Sequence, residues 1–337
     1  MSEKILNVLY QSNNYYAPIT GVSLTSLLEN NRHIEKINIY LLNDNINQEN
    51  LDKMRQICEQ YKRSFIIVET GKILQKLIDL KVAPFKGTYT TYFKLMAIKD
   101  LEIEGDRILQ IDGDTVINGP LDELLELDLS ENLIAATYDC TLAQYKEFIG
   151  IPITDKYYNC GVLLINHKKW IAQGCEEKII DHLKNVRSGY YTVDQDILNV
   201  LFRKDFKYLD LKYNFNSGFY IFGIKPSLRI YNLKSDYYNT VEEIREAYKG
   251  PVIYHCMGAM TGRPWEENNI HPQNAIFDKY MAISPWKDFS KVKVKRQIIF
   301  RMQRMLFRIA PLFIYIPVHK FVHIRYFKKV NSDVLSN

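Results

Sequence analysis

Apolar and polar positions along this chain follow two rhythms. Short β-branched and apolar runs at 5–10, 37–42, 65–68, 107–111, 133–138 and 161–166 have the length and composition of buried strands. Between them, 23–28 and 48–61 carry the spacing of helices, and Asn47 is placed to cap the second. Strands alternating with helices predict βαβ units and a mixed, mostly parallel sheet flanked by helices, an α/β fold. In open sheets of this kind ligands collect beyond the carboxyl ends of the strands. The run at 107–111 leads directly into Asp112-Gly113-Asp114, so this acidic pair falls where a ligand site is expected.

The pattern changes after residue 286. At about 100° per residue, Ile298, Ile299, Met302, Met305, Leu306 and Ile309 share one helical face, with Arg301, Arg304 and Arg308 flanking or opposing it. A basic amphipathic helix of this kind suits an anionic membrane surface, and docking on the protein's own core is the other use of such a face. The apolar run 311–318 is far shorter than the roughly 20 residues a spanning helix needs. Two units are therefore expected: a body over 1–286 and a basic tail over 287–337.

Charge sharpens this division. The chain carries a net +5, but the tail holds twelve Lys and Arg against two acids, which leaves the body net acidic by five. The body lacks the basic stripe with interleaved aromatics that nucleic acid would require, so nucleic acid is not an expected partner. Five scattered cysteines, Cys58, Cys140, Cys160, Cys175 and Cys256, form no CxxC pair and indicate neither a disulfide framework nor a zinc cluster. A reducing cytoplasm fits them. The apolar run at 5–10 is too short for a signal-peptide core and reads as a first strand.

Two carboxylates one residue apart at a strand end are hard oxygen ligands suited to Mg²⁺ or Mn²⁺ on phosphate oxygens, although a surface turn uses the same residues. Gly113 between them allows another group to approach the backbone closely. Asn159 and Gly161 precede an apolar strand, where Asn159 either shapes a loop or donates its amide to a sugar or phosphate oxygen. In 191–199, Thr192 or Asp194 can cap a helix, which accounts for one acid of Asp194-Gln195-Asp196 and leaves a polar ligand site for the rest. His255 ends a further strand and is either structural or the third ligand of the aspartate pair.

Taken in order, Asn14-Tyr15, Asp112-Gly-Asp114, the run from Asn159-Cys-Gly161 to Asn166, Asp194-Gln-Asp-Ile-Leu-Asn199, and His255-Cys-Met-Gly258 with Pro264-Trp265 resemble the family-8 retaining glycosyltransferases. That group contains bacterial lipopolysaccharide α-galactosyl- and α-glucosyltransferases and glycogenin. The resemblance spans 5–265 and implies the GT-A fold, a single nucleotide-sugar-binding α/β domain. It implies that Asp112, Asp114 and His255 bind Mn²⁺ or Mg²⁺, that Gly113 belongs to the same donor-binding turn, and that Asn14 and Tyr15 lie against the nucleoside. Lys94, where the family usually carries arginine, would be near the donor. Gly258 and Arg263, the latter in place of a lysine, would be at the diphosphate. Asn159, Asp194 and Gln195 would line the donor sugar and reaction centre, with Asp139 toward the acceptor. Ser12 stands where an aspartate that reads the base is common.

The implied reaction moves galactose or glucose from a UDP-hexose to a saccharide or lipid-linked glycan in bacterial surface polysaccharide or lipopolysaccharide synthesis. A basic C-terminal tail for membrane attachment also occurs among bacterial members, which implies a cytoplasmic enzyme held at the inner face of the plasma membrane. Two rival readings share the carboxylate pair or the tail. One is a metal-dependent nucleotidyltransferase or phosphohydrolase; the other is a catalytically silent, membrane-bound nucleotide-sugar-binding protein.

Overall fold

The run at 107–111 is buried from Ile108 onward and forms a strand at the middle of the main sheet. The computed structural model describes residues 5–186, 190–258, 260–295 and 298–331. The strands are β1 (Ile5–Asn13), β2 (Lys36–Asp44), β3 (Ser64–Glu69), β4 (Arg107–Ile111), β5 (Thr115–Ile117), β6 (Ile134–Ala136), β7 (Val162–Asn166), β8 (Phe206–Tyr208), β9 (Phe215–Asn216) and β10 (Ile253–His255). Seven of them make one sheet in the order β3-β2-β1-β4-β7-β6-β8, and β5-β10-β9 make a second. Within the large sheet only β7 runs against its neighbours. The expected mixed, mostly parallel α/β architecture is present.

The reversal of β7 positions the site. Ile111, the last residue of β4, pairs with Val162, the first of β7, so the turn leaving β4 meets the turn entering β7. The Gly161 carbonyl accepts from the Asp112 amide at 2.8 Å. Since β1 runs parallel to β4, its exit at Asn13 opens toward the same end. The small sheet adds a fourth approach: β10 pairs antiparallel with β5, and His255 lies opposite Thr115, one residue beyond Asp114.

Helix Ala17–Asn30 extends well beyond the expected 23–28 and packs behind the Asp-Gly-Asp turn. Its buried hydroxyls are partnered rather than solvated: Ser23 Oγ meets Tyr10 Oη and Thr115 Oγ1 at 3.0 Å each, and Ser26 Oγ accepts from the Ile117 amide at 2.9 Å. Helix Gln48–Gln60 is capped by Asn47, whose side chain accepts from the Asn50 amide.

The tail forms helices Ile298–Ile309 and Leu312–Asn331, the second carrying Pro317 inside it. No described helix is long and apolar enough to cross a membrane. One face docks on the body: Tyr315 packs beside Phe222, and Phe327 lies 4.9 Å from both Tyr145 and Tyr191, centroid to centroid. Arg304 donates to the Thr261 carbonyl at 3.0 Å. The other face leaves Ile298, Met302, Met305, Ile309 and Phe313 between 59% and 76% exposed. Leu306, expected on that same stripe, instead packs partly buried toward the body. Ile299, and the span of the tail beyond 331, lie outside what the structure describes at side-chain level.

Candidate metal centre and active site

Asp112, Asp114 and His255 converge, with one ligand atom from each lying within 4.8 Å of the others. Two carboxylate oxygens and an imidazole nitrogen are a donor set that fits Mn²⁺ or Mg²⁺ better than a soft metal. Asp112 and Asp114 are partly open to solvent, whereas His255 is buried. Around them the charges are cross-tied. Arg263 pairs with Asp114 and donates a second hydrogen bond to Tyr16 Oη at 2.9 Å. His255 Nε2 lies 3.3 Å from Asp114 Oδ1.

Burial alone lifts the Asp114 carboxyl, but His255 and Arg263 outweigh it and hold the group well below the usual carboxylate range. Burial by itself lowers His255, and the Asp114 carboxylate more than reverses that.

Lys94 is 1% exposed and does not reach freely toward a diphosphate. Its ammonium donates to Asp194 Oδ2 at 2.6 Å, the Cys160 carbonyl at 3.0 Å and Asp112 Oδ1 at 3.2 Å, tying the Asp-Gly-Asp turn to the Asp-Gln-Asp segment. Burial disfavours its charge, and the carboxylates of Asp112 and Asp194 outweigh that penalty. Asp194 is pushed up to about 6, chiefly by burial, with Lys94 opposing. The 2.6 Å contact has the geometry of a charge-assisted hydrogen bond.

The two acids of the 194–196 cluster divide their work. Asp194 faces Lys94, while Asp196 accepts from the Thr192 amide at 2.9 Å and from the hydroxyls of Tyr145 and Tyr157. The helix Val193–Phe202 is therefore capped by neither the Thr192 nor the Asp194 side chain, the two candidates the sequence offered; the Asp196 carboxylate from inside its first turn binds back instead. Gln195 is fixed by the Cys160 amide, which donates to Oε1 at 3.0 Å. Asp139 is buried beneath Asn159 and accepts from its Nδ2 at 2.6 Å, and burial pushes its carboxyl up.

Two glycines are dictated by close approach. A Cβ on Gly113 would strike the Thr20 hydroxyl, so the group that approaches this turn is a side chain of helix Ala17–Asn30. A Cβ on Gly161 would lie 2.5 Å from His255 Cε1 and 2.8 Å from Nδ1. Gly161→Ala is expected to cost about 1–3 kcal/mol in urea unfolding and to weaken Mn²⁺ binding by displacing the His255 ring. Unchanged Mn²⁺ affinity in a folded Gly161→Ala protein would contradict this packing.

Gly258 is fixed by a close backbone approach. Its Cβ position is filled by the Gly262 carbonyl, and the Gly262 amide closes the loop onto the Gly258 carbonyl at 2.8 Å, so Gly258 shapes the turn that delivers Arg263. Asn14 Oδ1 accepts from the Asn47 amide and from Asn50 Nδ2, both at 3.0 Å, and Tyr15 is 51% exposed beside it. The inward ring is that of its neighbour Tyr16, stacked edge-on to Trp265 at 6.1 Å. The sequence reasoning missed Tyr16; a tyrosine pair ahead of a helix signals that one ring turns inward without saying which. It also missed Asn214, which no motif marks.

Comparison with known proteins places the chain in a family. Residues 7–269 match the profile of glycosyl transferase family 8. A lipopolysaccharide 1,2-glucosyltransferase of Escherichia coli K12 is 30% identical over 310 residues, covering 89% of this chain and 84% of that protein. A lipopolysaccharide 1,3-galactosyltransferase of Salmonella typhimurium is 27% identical over 292 residues, covering 83% and 79% respectively. Among solved structures, the galactosyltransferase LgtC in complex with donor and acceptor sugar analogs has a TM-score of 0.66 at 21% identity, over 88% of this chain and 99% of that one, a likeness of fold. The sheet order, the strand-end acidic turn and the family match over most of the chain together make this protein a member of glycosyltransferase family 8 with a GT-A fold.

Proposed function

We propose that this enzyme transfers glucose or galactose, with retention, from a UDP-hexose to a saccharide or lipid-linked acceptor in lipopolysaccharide or related surface-glycan synthesis, assisted by Mn²⁺ or Mg²⁺. The observation that carries the metal assignment is the convergence of Asp112, Asp114 and His255. The names of the similar E. coli and Salmonella proteins support the sugar class and the acceptor class. A cation held there would act as a Lewis acid on the diphosphate, contributing several kcal/mol to leaving-group stabilisation.

The chain's own residues do the rest. Arg263, paired with Asp114 in the free enzyme, would turn to the diphosphate oxygens when donor binds. Tyr16, rather than the more exposed Tyr15, supplies the buried face at that end. Asn159 and Gln195 hold the donor-sugar side rigid through their bonds to the Gly161 and Cys160 amides. In the transfer, the bond from the anomeric carbon to the phosphate oxygen breaks with its electrons leaving on UDP. The acceptor oxygen forms the new bond on the same face, and its proton passes to the departing diphosphate. Asp194, engaged by Lys94 at 2.6 Å, is poorly disposed to act as a nucleophile. Recovery of a hexosyl group covalently attached to Asp194 would replace this scheme with double displacement.

A screen of UDP-sugars for Mn²⁺-dependent release of UDP, with and without saccharide acceptors, tests the activity. Transfer of intact hexose with free UDP is expected. Release of UMP, or of sugar phosphate, would favour a nucleotidyltransferase or phosphohydrolase.

The exposed stripe of Ile298, Met302, Met305, Ile309 and Phe313, with Arg301 and Arg308 exposed beside it, supports peripheral attachment to an anionic leaflet at the cytoplasmic face. Full-length protein is expected to co-sediment with phosphatidylglycerol vesicles more than with phosphatidylcholine vesicles, and Met302→Asp with Phe313→Asp to abolish the difference. Equal sedimentation of variant and wild type would remove the membrane assignment.

A further inference from the structure

His255 can ligate through Nε2 only if Nε2 carries a lone pair, and its surroundings pull in two directions. Asp114 Oδ1, 3.3 Å from Nε2, favours a proton on that nitrogen, which would block ligation. On the other side of the ring, Asn214 Oδ1 lies 3.0 Å from Nδ1. Asn214 is 3% exposed and stands between the short turn Leu211–Tyr213 and β9, so its side chain has little room to rearrange.

The direction of its amide is fixed from a distance. The Gly161 backbone amide can only donate, and it meets Asn159 Oδ1 at 2.9 Å. That leaves Asn159 Nδ2 for Asp139 Oδ1, at 2.6 Å. Asn159 Oδ1 takes a second donor, Asn214 Nδ2, also at 2.6 Å. With its nitrogen committed there, Asn214 must present oxygen to His255, and an amide oxygen only accepts. Nδ1 must therefore carry a proton. The opposite tautomer would set two lone pairs against each other in a buried site and leave both unsatisfied.

We propose that Asn214 is a positioning residue that holds His255 in the Nδ1–H tautomer, against the pull of Asp114, through a relay whose polarity is set by the Gly161 amide. This rests on His255 being a metal ligand for its consequence in catalysis, but the tautomer itself does not depend on that. It also gives the Asn159-Cys160-Gly161 turn a purpose beyond shaping a loop: Gly161 makes room for the His255 ring, and its amide decides which way the relay runs.

The test uses full-length protein labelled with ¹⁵N-histidine, with the His255 signals assigned by comparison with His255→Gln. Long-range proton–nitrogen correlation spectra of the metal-free protein, taken at alkaline pH once the ring has lost its second proton, report the tautomer. Wild type is expected to show Nδ1 protonated. Asn214→Leu is expected to switch to the Nε2–H form donating to Asp114 and to bind Mn²⁺ about 10–100-fold more weakly. Asn214→Asp keeps an acceptor facing Nδ1 and is expected to keep the wild-type tautomer, even though it loses the bond to Asn159 and some thermal stability. A purely structural role would make both variants alike.

An Nε2–H wild type, or an Asn214→Leu protein with the wild-type tautomer, would overturn the proposal. A wild type that shows the Nδ1–H form yet binds no Mn²⁺ would leave the relay standing and remove the metal reading instead.

Discussion

Lys94→Met is expected to lose about 3–5 kcal/mol of stability in urea unfolding, because it strips the buried carboxylate of Asp194 of its ion-pair partner and leaves Asp112 with the neutral Gln110 amide in place of a charge. Methionine fills the same volume, so the loss reports charge rather than a cavity. Its pH dependence has a definite sign. Asp194 lies at about 6 in the folded protein against 3.8 in an open chain, so the folded state already holds that proton more tightly, and removal of Lys94 raises it further. The deficit should shrink when unfolding is measured on the acid side of that value and grow on the alkaline side. A deficit below about 1 kcal/mol, the range of exposed ion pairs, would show that Lys94 is not the tie described here.

Asp114→Ala is expected to lower kcat/KM for UDP-hexose turnover by about 10²–10³-fold, the scale of removing one electrostatic stabiliser of a leaving group. Three things disappear with one carboxylate: a donor of the proposed metal cluster, the anchor of Arg263, and the charge facing His255. Asp114→Asn keeps the size and retains one oxygen ligand, so its loss should be smaller and should recover in part at raised Mn²⁺. An Asp114→Ala enzyme within about fivefold of wild type would place the leaving-group site elsewhere.

Much of this site was legible in the linear pattern because the strongest signals were local. β4 is read to the residue, since an apolar run ends abruptly in Asp-Gly-Asp. The expected cap from Thr192 or Asp194 does not form: Asp194 is drawn to Lys94, and Asp196 instead accepts from the Thr192 amide, a contact that depends on the fold around the helix start. Helix Ala17–Asn30 was underestimated at its start because Pro18, Thr20 and Gly21 read as loop residues, whereas Pro18 sits in the first turn and Thr20 is buried with Ser12 as its partner.

What the sequence could not show is pairing between distant segments. β5, directly after the acidic turn, belongs to a second sheet because β10 arrives more than a hundred residues later. The antiparallel entry of β7, which brings Gly161 against Asp112 and His255, leaves no trace in periodicity. In the tail, amphipathicity was clear, but the face chosen by the body was not. Buried Tyr315 and Phe327, not the stripe of Met302 and Met305, make the docking contact.

The central claim is that Asp112, Asp114 and His255 hold a divalent cation against the donor diphosphate. Calorimetric titration of UDP into the full-length protein with and without Mn²⁺, repeated on an Asp112→Asn, Asp114→Asn double variant of verified fold, addresses it most directly. The expected result is UDP binding that requires Mn²⁺ in the wild type and is lost in the double variant. UDP binding that is equally strong without metal, or that stays metal-dependent in the double variant, would contradict it.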